Sequence, residues 1–138
     1  MHVDFACMFN KGESLKVKER VPFRLTHNMV DAMGVAGYGG SFTRTCCHTM
    51  RVLRANRSAL MNVLETCVHD PLVEFVRKGD EGRLQSCERR LHGEVTRYPH
   101  ERDIRQVLSV EGQVESVVAE AVSPQNLHLM YRWWMPWY

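Results

Sequence analysis

The stretch Val21-Pro22-Phe23-Arg24-Leu25-Thr26-His27-Asn28-Met29-Val30-Asp31-Ala32-Met33-Gly34 passes from extended to helical chemistry within a few residues. Pro22 holds the chain before it extended, and Thr26 is a residue type suited to capping a helix. The spacing predicts a short helix from His27 to Met33, stopped by Gly34. Working towards the N-terminus, residues 7–24 read as an extended loop, with turn chemistry at Asn10-Lys11-Gly12-Glu13-Ser14. Working towards the C-terminus, Val35 to Gly40 holds three glycines in six residues and reads as a flexible loop. Ser41 then caps a second helix with Phe42, Cys46, Met50 and Leu53 on one face. Asn56 and Arg57 break it, and Ser58 caps a third helix with Leu60, Val63, Leu64 and Cys67 inward. Pro71 ends that helix, because the residue before a proline avoids helical geometry.

Beyond Pro71 the pattern predicts a short helix over Leu72 to Lys78, a charged helix from Asp80 to about Leu91, and loop over 93–105. Ser109 to Val122 is the cleanest helix. Val110, Val114, Val117, Val118 and Ala121 share one face. Ser123-Pro124 marks the cap and first residue of a last short helix through Met130. The chain ends Trp133-Trp134-Met135-Pro136-Trp137-Tyr138. Fold class is therefore mainly α, with an extended N-terminal loop.

Composition narrows the function without choosing it. The 138 residues suffice for one ordinary domain, and 44% hydrophobic with 25% charged residues is an average globular balance. Net charge is +2, too near neutral to suggest direct nucleic-acid binding. No apolar run approaches the length of a membrane span, and the first residues lack the layout of a signal peptide. Five irregularly spaced cysteines fit reduced thiols in an intracellular compartment better than a disulfide scaffold. Net charge runs from +3 over residues 1–70 to +1 over 71–107 and −2 over 108–138. The middle third, densely charged and poor in large apolar residues, reads as a solvated helix and linker.

Few residues carry chemistry by pattern alone. Asp4 is a carboxylate after a short apolar run and before Phe5 and a long loop, the layout with which protein kinases hold a phosphate-bridging metal. Cys46-Cys47-His48, Cys67-Val68-His69 and Cys87 with His92 lack the paired spacing of a zinc site and read as buried or free thiols. Arg51, Arg54 and Arg57, spaced by three, read as a solvated helix face. Three tryptophans and a tyrosine in the last six residues are costly to expose, so Trp133, Trp134 and Trp137 either pack into a core or meet a partner.

Longer stretches carry a resemblance. FNKGE (9–13), VPFRLTHNMVDAMG (21–34) and LMNVLET with HDPLVE (60–66, 69–74) resemble the C-terminal part of the kinase domain of the phosphatidylinositol-3-kinase-related protein kinases, most like their ATR-like checkpoint branch. Residues 108–138 resemble the FATC segment that closes these kinases. The resemblance implies three regions. Residues 1–75 would be the C-terminal half of a PI3/PI4-kinase-like catalytic lobe, 76–106 a charged variable helix and linker, and 107–138 the FATC helical tail. It implies that Asp4 binds Mg in the family's metal motif, beside Phe5, where the cofactor ATP lies. Residues 6–21 would be the activation loop, and Pro22, Phe23, Arg24, Leu25 and Thr26 its end near the peptide substrate.

The implied activity is transfer of the γ-phosphoryl group of ATP to Ser or Thr of proteins in nuclear DNA-damage checkpoint signalling. Gly37-Tyr38-Gly39-Gly40-Ser41-Phe42-Thr43-Arg44 departs from the family's Gly-x-Glu-Gly-x-Phe-Arg-Arg at Gly39 and Thr43, which puts an ion pair or loop anchor in doubt. Only three residues precede Asp4, so the chain is expected to be a C-terminal fragment or truncated gene product. Mg and ATP are expected in the complete kinase and not to bind tightly to this chain alone, which should be inactive. Partners would be protein substrates, the remaining kinase domain and a regulatory protein. The rival reading is a non-catalytic FATC-type module that binds a partner protein.

Overall fold

Thr26 is where the extended run ends, with φ −79° and ψ 164°. Its carbonyl accepts the Val30 N–H at 3.0 Å and opens helix α1, His27–Ala32. The Thr26 side chain makes no capping hydrogen bond, so the backbone alone starts the helix. Gly34, at φ +76°, stops the chain from continuing as a helix, and its N–H donates to the Asp31 carbonyl at 3.0 Å. This is a computed structural model, and it describes residues 15–16, 18, 21–68, 80–96 and 105–129. The expected helix over Leu72 to Lys78 lies outside them.

A single 3₁₀ turn at Gly37–Gly39 occupies part of the expected glycine loop. Then come α2 (Ser41–Ala55) and α3 (Arg57–Val68), separated by Asn56. Asn56 accepts the Leu60 N–H at 3.1 Å, and its side-chain amide donates to the Val52 carbonyl at 2.8 Å. It serves as the break, as expected, and α3 starts at Arg57, ahead of the Ser58 expected to cap it. On α2 the expected residues Phe42, Cys46, Met50 and Leu53 are all half-buried, and Cys47 beside them is the buried thiol. On α3, Val63 is 62% exposed and does not point inward. At about 100° per residue, Leu60, Leu64 and Met61 fall within one arc and Val63 lies outside it. The face of α3 that α4 covers is narrower than apolarity suggests.

Helix α4 spans Asp80–His92 and packs against α3 and β1. Its last turn carries Arg89, Arg90 and His92, a placement that suits the negative end of the helix dipole. Where loop was expected there is a two-stranded antiparallel sheet, β1 (Glu94–Thr96) and β2 (Arg105–Val107), with Val95 opposite Gln106. Three-residue strands are too short for alternation to reveal. The pairing is held at its base by the Leu108 N–H donating to the Gly93 carbonyl at 2.9 Å. Helix α5 covers Val110–Ala121, capped by the Ser109 hydroxyl, which accepts the Gly112 N–H at 3.1 Å. Helix α6 (Pro124–His128) has Pro at its start, as expected, and Ser123 precedes it with no side-chain cap. Among the described residues no helix is long and apolar enough to cross a membrane.

Two compact units divide the chain. The first is residues 1–47 with 114–138, and its buried residues include Leu25, Thr26, Cys47, Val114, Val118, Ala121 and Leu127. The second is residues 48–113, and its centre is polar: Gln113 is 3% exposed and Gly93 is buried.

Gly93 sits at φ +94°, and a Cβ there would come within 2.5 Å of Arg54 Nη2 and 2.9 Å of the Leu108 carbonyl. Gly93→Ala therefore adds backbone strain and displaces the guanidinium, a cost of about 1–3 kcal/mol. The expected outcome is hydrogen exchange at the Leu108 amide faster by roughly 10-fold or more, since each 1.4 kcal/mol is a factor of ten. Unchanged exchange there would mean that the hairpin base does not depend on this glycine.

Candidate functional site

The expected substrate-side segment grows steadily more buried from Pro22 to Thr26. Pro22 is exposed and Phe23 half-buried, its ring tilted at 51° on Phe42 with centroids 6.1 Å apart. Arg24 is half-buried, and burial lowers its guanidinium pKa from the ordinary value. Leu25 and Thr26 are each only 3% exposed. Edge-tilted aromatic pairs at this distance are favourable beyond their burial, so Phe42 at the start of α2 holds the segment in place. Thr43, one of the two departures from the resembled family, donates its hydroxyl to the Tyr38 carbonyl at 2.5 Å and ties the 3₁₀ turn to α2. A short neutral tether thus stands where the resembled pattern has an arginine. Asp4, Phe5, Trp133, Trp134 and Trp137 lie outside the described residues.

Arg54 builds the most connected polar cluster among the described residues of the second unit. Its Nε and Nη2 donate to Gln113 Oε1 at 3.2 and 2.6 Å. Nη1 and Nη2 donate to the Leu108 carbonyl at 3.2 and 3.1 Å, and Nη2 reaches the Ser109 carbonyl at 3.4 Å. The Gln113 side-chain amide in turn donates to the Arg90 carbonyl at 2.8 Å, which also accepts the Gly93 N–H at 3.0 Å. The planar fork of an arginine suits several fixed acceptors at once. One turn earlier on α2, Arg51 pairs with Glu111. The reading of Arg51, Arg54 and Arg57 as a solvated face is thereby corrected for Arg54, which is half-buried on the start of α5, while Arg51 stays exposed beside Glu111. Spacing by three could not reveal this, because the partners lie some 60 positions away in sequence. Gln113 gave a fainter signal, being a polar residue beside the valine stripe of α5.

Burial raises the thiol pKa of Cys46 and Cys87, the neighbouring Arg90 acting in the opposite sense on Cys87. Such thiols are poor nucleophiles at neutral pH. Among the described residues no group of three or more His, Cys, Asp or Glu side chains could hold a metal ion.

Residues 1–77 match the family Phosphatidylinositol 3- and 4-kinase, and residues 107–138 match the FATC domain. The chain belongs to the phosphatidylinositol 3- and 4-kinase family. Among curated members it is 45% identical to the serine/threonine-protein kinase ATR of Arabidopsis thaliana, over all of this chain and 5% of that protein. It is 43% identical to the protein kinase rad3 of Schizosaccharomyces pombe, again over all of this chain and 6% of the relative. A solved structure described as the FAT and kinase domain of CtTel1 superposes with a TM-score of 0.81 at 26% identity, covering 99% of this chain and 10% of that one. The chain thus spans about one-twentieth of the length of these two curated kinases. In family terms, Arg54 falls in the kinase match and Leu108, Ser109 and Gln113 in the FATC match.

The Glu111 carboxyl is held below the usual carboxylate range, first by its own backbone hydrogen bond and then by Arg51. A depressed acid contributes stability that is present above its unfolded pKa and is lost as pH falls through the folded value. The contribution of this pair therefore disappears only below the pH where free glutamate titrates. Following the carboxyl by NMR should place its midpoint below that of a free glutamate, and Arg51→Met should move it back upward. A midpoint that ignores Arg51→Met would remove this pair from the account.

Proposed function

We propose that these residues are the C-terminal portion of an ATR-like serine/threonine protein kinase that transfers the ATP γ-phosphoryl group to Ser or Thr of proteins in nuclear DNA-damage checkpoint signalling. The observation that carries this reading is the kinase match over 1–77 followed by the FATC match over 107–138 in one chain. Alignment of whole-chain length with ATR and rad3 supports the checkpoint branch. The region boundaries at about 75 and 107 are part of the same reading.

Within it, Asp4 is the carboxylate that holds Mg on the ATP phosphates, and Phe5 stands beside the nucleotide. When bound, the metal neutralises charge that develops on the transferred phosphoryl group. Pro22 to Thr26 border the peptide substrate, with Leu25 and Thr26 buried so that the exposed side of the segment keeps its place. Trp133, Trp134 and Trp137 act as packing anchors of the tail. Phosphoryl transfer needs a phosphate-covering loop, an ATP-binding lysine and a catalytic base together, and one metal-binding carboxylate does not replace them. By themselves the 138 residues hold ATP weakly and are inactive. The segment contributes to catalysis only as part of the longer kinase.

In the full-length kinase, Asp4→Asn should lower activity by orders of magnitude while folding is retained, and the isolated chain should show no ATP-dependent transfer. Near-normal phosphorylation by Asp4→Asn would remove Asp4 from the site. For the tail, Trp134→Ala and Trp137→Ala truncate packing worth about 3–5 kcal/mol each and should reduce basal activity. Unchanged basal activity with lost binding of a partner protein would instead favour the interaction-module reading.

A further inference from the structure

The segment from Pro22 to Thr26 is held at two points, both within the first compact unit. Its C-terminal end is fixed by burial, Leu25 and Thr26 being 3% exposed. Its N-terminal end is less covered: Pro22 is exposed, and half-buried Phe23 rests its ring on Phe42 with centroids 6.1 Å apart. Phe42 belongs to the first turn of α2, which short-range bonds tie to the turn before it. The Thr43 hydroxyl donates to the Tyr38 carbonyl at 2.5 Å, and the Arg44 N–H donates to the Gly40 carbonyl at 3.4 Å. The turn that carries Tyr38 packs on α1, where a Cβ on Gly37 would meet Val30 at 3.6 Å and one on Gly40 would crowd Ala36 at 2.8 Å. Helix α1 starts directly after Thr26. The chain from Phe23 to Phe42 therefore closes on itself, running through the segment, α1, the 3₁₀ turn and the start of α2 before the ring pair returns it to Phe23.

We propose that Phe42 is a positioning residue for the protein substrate, fixing through Phe23 where the exposed end of the Pro22–Thr26 segment meets the peptide, without itself touching peptide or ATP. This rests on the kinase reading above, which sets the substrate along that segment. The choice of side chain fits the role. Two tilted rings attract through the negative face of one and the positive edge of the other, so the pair sets an angle as well as a distance. A leucine at position 42 would keep apolar contact and lose that preference. Thr43 acts at one remove, holding the 3₁₀ turn to α2 through a neutral hydrogen bond that added salt does not screen as it would an exposed ion pair.

The test measures the KM for a synthetic serine peptide and the KM for ATP in the full-length kinase and in its Phe42→Leu, Phe42→Tyr, Thr43→Val, Pro22→Asp and Leu60→Ala variants. Leu60, half-buried on α3 outside the first compact unit, serves as the stability control. Phe42→Leu should raise the peptide KM by about 3–10-fold and change the ATP KM by less than about twofold. Phe42→Tyr keeps the ring and should stay within about twofold of wild type in both constants. Thr43→Val should move the peptide KM in the same direction by a smaller factor, and it decides the matter should Phe42→Leu fail to fold. Leu60→Ala should leave both constants in place. Pro22→Asp puts a carboxylate on the exposed end of the segment and reads the substrate role of that segment on its own. An unchanged peptide KM in Phe42→Leu beside a raised one in Pro22→Asp removes this inference alone, whereas unchanged values in both remove the substrate reading of the segment as well. Equal rises in the peptide and ATP KM of Phe42→Leu, or a rise that Leu60→Ala matches, would mean general loosening and overturn the proposal. A wild-type kinase without ATP-dependent transfer would remove the kinase reading and this inference together.

Discussion

The second unit depends on how one arginine gathers the backbone carbonyls at the junction of β2 and α5. Where β2 gives way to α5, the Leu108 and Ser109 carbonyls face Arg54. The Ser109 carbonyl also accepts the Gln113 N–H at 2.9 Å, and so takes part in both the helix and the clamp. An acceptor left without a partner in such a place costs about 1–3 kcal/mol, and hydrogen bonds from a charged donor are stronger than neutral ones. A buried glutamine could have been a liability. Here both ends of its amide are engaged, one by Arg54 and the other by the Arg90 carbonyl. The end of α4, the base of the hairpin and the start of α5 thus share one set of donors. Networks of this kind are all-or-none, since a partly satisfied one is worse than an apolar contact.

The first unit is built on a different principle. Among the described residues its core is small and mostly aliphatic, with Leu25, Val114, Val118, Ala121 and Leu127 at 6% exposure or less. Thr26 is the polar exception, and it stands where an extended segment turns into a helix. In the kinase reading this is the rim on which a protein substrate rests. A segment exposed at Pro22 and buried at Leu25 and Thr26 is suited to that task, because its buried end fixes the position of the exposed one. The Phe23–Phe42 pair extends the same anchoring outward.

Helical periodicity was legible in the sequence because it is repeated over ten or more residues. The extents of α2, α4 and α5, and the start of α6 at Pro124, lie within a residue or two of the pattern. What periodicity could not supply was which neighbour covers which side. Cys46 and Cys47 differ by one step of rotation, and Val63 is as apolar as Leu64, so only the packed partner separates them. The hairpin was invisible because its ladder has three rungs and its closure depends on a glycine far from its bonding partner. Arg54 looked like one of three solvated cations for the same reason: a charge acquires its meaning from acceptors that sequence spacing does not bring near. Asp4, Phe5 and the three tryptophans lie outside the described residues, and the roles that pattern and family likeness give them belong to the kinase reading.

The closed base of the hairpin has a consequence for added length. The Gly93–Leu108 hydrogen bond and the β1–β2 ladder join the chain on either side of residues 97–104, so the start of the FATC match is tied to the stretch just after α4 without relying on those residues. Extra residues inserted there would cost only the entropy of a longer loop, about 0.6 kcal/mol for each doubling. Added length at this point should therefore be tolerated, whereas added length between Leu108 and Gln113 would pull apart the acceptors that Arg54 holds together.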